Sequence, residues 1–96
     1  MNGNVEVITP ELAQKYVDER HPNTRSPVYG EVQLKYAELM ENDKWESLYA
    51  HAVMFDEDNR LIDGVQRMVA IILCGRHVEM MVLRGVPKLA PYPKTP

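Results

Sequence analysis

The chain has 96 residues, enough for one domain but near the lower end of what buries a self-sufficient core. Its 45% hydrophobic and 26% charged residues describe a folded globular chain and exclude a disordered one. A formal net charge of −3 without any Lys/Arg cluster argues against a nucleic-acid-binding face.

No apolar run approaches the roughly twenty residues needed to span a membrane, so no membrane role is expected. The single Cys74 excludes an internal disulfide and reads as a small core hydrophobe. With no signal peptide, it places the chain in a reducing cytoplasm.

Met1 to Asn4 is polar and reads as a frayed start, and Val5–Ile8 as a short strand. Thr9-Pro10-Glu11 then gives the order of cap, first-position proline and early acid that opens a helix. Leu12, Ala13, Tyr16 and Val17 form its buried face, and Asp18-Glu19-Arg20 ends it. His21 to Pro27, with two prolines, is a loop. Gly30 to Asn42 is a second helix, with Val32, Tyr36, Leu39 and Met40 on one stripe at helical spacing. After a break at Asn42-Asp43-Lys44, Trp45 is expected to plug the core.

Leu48 to Phe55 alternates as a strand, with Ala50, Ala52 and Met54 on one side and Tyr49, Val53 and Phe55 on the other. Asp56-Glu57-Asp58-Asn59 is a hairpin turn leading into Leu61-Ile62. Arg60 to Arg67, running into Met68 to Cys74, reads as a strand end, a tight polar corner and a mostly apolar helix. Asp63 and Gln66 have the spacing of a capping box, with Gly64 at the first helical position and Gly75 as the stop. Because its second half is apolar nearly all round, this helix should be buried against a sheet, with its amino end open to solvent.

His77 to Leu83 is a strand with Val78, Met80 and Val82 on one face, closed by Gly85-Val86-Pro87. The proline-rich end, residues 87–96, reads as an extended tail after a single domain of residues 1–86. Strand, helix, helix, hairpin, helix, strand is the order of an α+β domain: a small mixed sheet with about three helices.

Chemistry is concentrated at the corner. A helix start presents unpaired N–H groups and a partial positive charge, and Arg60 and Arg67 flank it. Arg60, Asp63, Gly64, Gln66 and Arg67 are therefore the candidate site for an anion such as a phosphate or carboxylate. The competing reading has Asp63 capping the helix and both arginines pairing with surface acids. His21, His51 and His77 have no metal-ligand spacing, and the acidic turn Asp56-Glu57-Asp58 reads as turn chemistry before ion binding. No catalytic residue and no metal site are assigned.

The stretch Asp63-Gly64-Val65-Gln66-Arg67 resembles the corner of the ParB/sulfiredoxin-like superfamily, in particular ParB N-terminal-like domains of phage and bacterial type. Arg60, Leu61, Asp63, Gly64, Arg67, Ala70, Gly75 and Gly85 correspond to the family's central strand, helix start and following strand. Upstream, Val32, Tyr36, Met40, Trp45, Phe55 and Asp56 occur in the family's order. Thr9-Pro10-Glu11 resembles its opening, and Arg25 an arginine of its first loop. The resemblance spans roughly residues 7 to 86.

It implies a ParB/sulfiredoxin-like fold and a nucleotide, CTP or ATP, at the corner; some relatives hydrolyse it and others transfer its phosphate. Relatives carry Glu, Cys or Gln directly after the glycine and His or Arg next. Here Val65 and Gln66 stand there, neither able to serve as a charged ligand or base. The chain also ends before the helical segments of longer relatives.

The expectation is a small, catalytically degenerate accessory domain, phage-encoded in type, that binds a protein partner and keeps at most an anion or nucleotide site. A homodimer is compatible with this. The alternative is a minimal nucleotide-dependent phosphotransferase or nucleotidase, with Asp56 or Glu57 holding a metal. On either reading, Arg67→Ala should abolish any anion binding with only a modest loss of stability.

Overall fold

A computed structural model describes residues 2–22, 24, 30–42 and 52–87. The elements run β1 (Asn2–Ile8), α1 (Pro10–Asp18), α2 (Glu31–Glu41), β2 (Val53–Asp56), β3 (Leu61–Asp63), α3 (Val65–Cys74) and β4 (Val78–Val86). This is the α+β domain that the order of elements predicts. Trp45, His51, Arg25, residues 48–51 of the expected strand and residues 88–96 lie outside the described residues.

The four strands form one mixed sheet in the order β1-β4-β2-β3. β1 runs antiparallel to β4, from Asn2 opposite Arg84 to Ile8 opposite Val78. β4 runs parallel to β2, with Val53 opposite Val82, and β2 returns antiparallel into β3. The polar start is thus not frayed: Asn2, Gly3 and Asn4 are paired with Arg84, Leu83 and Val82. A nine-residue β4 offers a backbone ladder long enough to order them despite their poor strand preference.

The turn chemistry was legible. Thr9 caps α1, its hydroxyl accepting from the Leu12 N–H at 3.1 Å, and Pro10 follows at the first helical position. Gly75 ends α3 in the left-handed region at φ 69°, its N–H bonded to the Ile71 carbonyl. In the hairpin the Asp56 carboxylate accepts from the Asp58 and Arg60 N–H groups, both at 2.9 Å, and Asn59 takes φ 61°.

The helices cover one face of the sheet. Val78, Met80 and Val82 of β4, with Val53 and Phe55 of β2 and Ile8 of β1, meet Ala13 and Val17 of α1, Ala37 and Met40 of α2, and Val65, Met68 and Ile71 of α3. α3 packs against both other helices.

Two helical expectations need correction. On α2 the buried face is Gln33, Ala37 and Met40 with Tyr36 beside them, while Val32 and Leu39 point outward. The Gln33 side chain turns back to accept from the Gly30 N–H at 3.0 Å, which satisfies a polar group on the inner face. On α3 burial is complete over Val65 to Ile71 and relaxes at Ile72, Leu73 and Cys74. α3 packs against both α1 and α2, and its amino half is the part sealed from water.

Among the described residues no helix is long and apolar enough to cross a membrane.

Candidate functional site

Four of the five candidate residues come together where β3 passes into α3. Asp63 closes the strand and Gly64 turns the chain at φ 107°, ψ 17°, so the helix begins at Val65. A side chain at residue 64 would meet the Val53 methyls at 3.1 Å, and its positive φ favours glycine. This moves the helix cap one residue beyond the expected position. Gly64, not Asp63, is the cap, and its carbonyl accepts the first helical bond from Met68 at 3.1 Å. Gln66 then falls at the second helical position, where no capping box with Asp63 forms.

Asp63 instead faces Arg67 across one helical turn, Oδ2 to Nη2 at 3.8 Å, with side-chain exposures of 4% and 7%. Burial pulls the Arg67 guanidinium below its ordinary pKa, while Asp63 and then Tyr36 act in the opposite direction. Gln66 is buried beside them, and its Oε1 has no hydrogen-bond partner among the described residues. The helix start therefore does not face solvent, contrary to the expectation of an open amino end. It is walled in, and its cation is already matched by a carboxylate of the same corner.

Arg60 stands at the other end of β3, at the hairpin. Its Nε lies 3.3 Å from Asp56 Oδ2 and its Nη2 3.5 Å from Asp58 Oδ2. Asp56 is fully buried and serves the turn backbone through its other oxygen. Both flanking arginines thus pair with acids, but the competing reading of the corner fails in its detail: Asp63 does not cap the helix, and of the paired acids only Asp58 lies at the surface. Among the described residues no three His, Cys, Asp or Glu side chains converge as metal ligands. His21 lies after α1, where its N–H bonds to the Leu61 carbonyl at 2.9 Å, and His77 is exposed before β4.

A second charged cluster escaped the sequence reading. Arg84 of β4 grips Glu6 of β1 with two bonds of 2.8 and 2.9 Å, donates to the Tyr16 hydroxyl at 3.3 Å, and sets its guanidinium 4.3 Å from the Phe55 ring centroid. Tyr16 meets Phe55 edge-on at 4.8 Å between centroids. The bidentate bond holds the Glu6 carboxyl below the usual carboxylate range and raises the Arg84 pKa. The signal was there in the alternation. Arg84 continues the phase of Val78, Met80 and Val82, and Glu6 continues that of Ile8, so both charges belong to the helix-covered face and need each other.

The chain matches no protein-family model, no curated protein and no solved structure.

Proposed function

We propose that this chain is a small, cytoplasmic, catalytically degenerate domain on the ParB/sulfiredoxin-like plan that acts by binding another protein. The observation that carries the reading is the state of the corner. Asp63, Gln66 and Arg67 are each about 5% exposed, and the Arg67 cation at the helix start is paired with Asp63. An anion entering there would have to displace Asp63 from Arg67 and find a path past buried side chains. The electrostatic attraction that a helix start offers is thus largely used up within the fold.

The residues that would do chemistry point the same way. Val65 has no ionisable group, and Gln66 carries no charge at neutral pH. Asp56, one of the two acids that the alternative would use to hold a metal, has one oxygen committed to two backbone N–H groups and the other beside Arg60. By contrast, apolar side chains are open elsewhere: Val5 and Val7 on β1 are about half exposed, and so are Val32 and Leu34 on α2.

Calorimetric titration with CTP, ATP and ADP, each with magnesium, tests the reading. No binding at sub-millimolar concentration, together with no release of phosphate, is the expected result. Tight binding with turnover would overturn it in favour of a nucleotide-dependent phosphotransferase or nucleotidase.

A further inference from the structure

We propose that the outer edge of β1 is a self-association surface, on which a second copy of this chain adds its own β1 antiparallel to make one continuous sheet. This rests on the reading of the domain as a binding module and names its partner surface. The two edges of the sheet are built differently. β3 is only three residues long, and the Leu61 carbonyl accepts from the His21 N–H. β1 is seven residues long, lies at the opposite edge and is exposed over Asn2–Val5 and at Val7.

Soluble proteins protect such edges with lysines, prolines, inward-pointing charges or short length. Asn2-Gly3-Asn4-Val5-Glu6-Val7-Ile8 has no lysine and no proline. Its one charge, Glu6, is tied to Arg84 of the same chain at 2.8 Å. Among the described residues no strand pairs with the outer edge of β1, and a ladder of this length is a template for another strand.

The sequence of the strand is self-complementary about Val5. In an antiparallel pair centred there, Val5 meets Val5 of the second copy, Gly3 meets Val7, and Asn4 meets Glu6. No like charges fall opposite one another, and each glycine makes room for a valine. The register also matches the faces. Val5 and Val7 lie opposite Met81 and Glu79, on the sheet face away from the helices, whereas Asn4 and Glu6 share the helix-covered face with Met80 and Val82. A two-fold axis perpendicular to the sheet keeps both helix layers on one side and joins the half-exposed valines into a single apolar stripe. The contact is one strand wide, so the dimer should dissociate on dilution.

Sedimentation equilibrium of the 96-residue chain over a wide concentration range tests this. The expected result is a mass that rises from monomer towards twice that value. Val5→Lys and Val5→Glu should each stay monomeric with an unchanged circular dichroism spectrum, because two like charges then meet at the axis. An equimolar mixture of the two variants should recover the doubled mass, since Lys then faces Glu. A monomeric wild type at every concentration overturns the proposal, as does association that survives Val5→Lys. Failure of the mixed variants to associate overturns the register. None of these outcomes bears on nucleotide binding, so the calorimetric test of the domain's function stands or falls separately.

Discussion

Arg67 and Asp63 face one another at 3.8 Å inside the junction of β3 and α3, each almost wholly removed from water. Two buried charges contribute little net stability when paired, because desolvation offsets their attraction. Removing one of them is another matter. Arg67→Ala leaves the Asp63 carboxylate buried beside a cavity, so it should cost about 3 kcal/mol or more. Replacing both, as Asp63→Asn with Arg67→Ala, should cost much less than the sum of the two single changes. Urea denaturation of the two single variants and the double variant measures this. Additive losses would mean that the pair does not act as a unit. The small effect of Arg67→Ala that an open corner would give is replaced here by a large one.

Gly64 turns that corner at φ 107° with the Val53 methyls 3.1 Å from where a side chain would begin. Gly64→Ala therefore adds both backbone strain and a steric contact with a β-branched neighbour that has little freedom to move. A loss of about 1–3 kcal/mol is expected. Gly64→Ala combined with Val53→Ala relieves the contact but not the strain. If the double variant is no better than additive, the contact with Val53 contributes nothing to the cost. Thermal unfolding followed by circular dichroism provides the comparison.

Gln66 buries an amide whose Oε1 is without a hydrogen-bond partner among the described residues. A buried acceptor left unpaired costs about 1–3 kcal/mol. Gln66→Met keeps a similar length and removes the amide, so it should leave the domain as stable as before or more stable by up to about 1 kcal/mol. A clear destabilisation would show that the amide is engaged after all.

What could be read from the sequence divides along physical lines. Local chemistry was legible. Thr9-Pro10, the Asp56 turn and Gly75 each act on their own few residues of backbone, and each falls where the sequence puts it. The α+β order followed from periodicity together with the cap and turn residues that bound each element. What needed coordinates was anything set by packing between elements. Asp63 and Gln66 have the right spacing for a capping box, but Gly64 turns the chain at φ 107° and becomes the cap, one residue further on. Val32 and Leu39 look like a core stripe, yet Gln33 and Ala37 face inward because the fold brings that side of α2 to α3. Whether a helix start is open or walled in is likewise a property of its neighbours, not of its own residues.

Glu6 and Arg84 supply a pH-dependent contribution. The Glu6 pKa is lowered in the folded chain, chiefly by the hydrogen bonds from Arg84, so the folded state binds a proton less readily than the unfolded state does. Stability from this pair is therefore fully present above the ordinary carboxylate range and disappears as pH falls through the folded value. Both side chains are 29% exposed, which limits the effect to about 1 kcal/mol. Glu6→Gln removes the titrating group while leaving Arg84 over the Phe55 ring. At neutral pH it should be less stable than the wild type by that amount, and in strong acid the two should unfold alike. Arg84→Met, which also loses the ring contact at 4.3 Å, should remain less stable than the wild type even in acid, because attraction between a guanidinium and an aromatic face does not depend on Glu6. Urea denaturation of the three proteins at neutral and acid pH separates the two contributions. A Glu6→Gln deficit that stays constant with pH would refute the assignment.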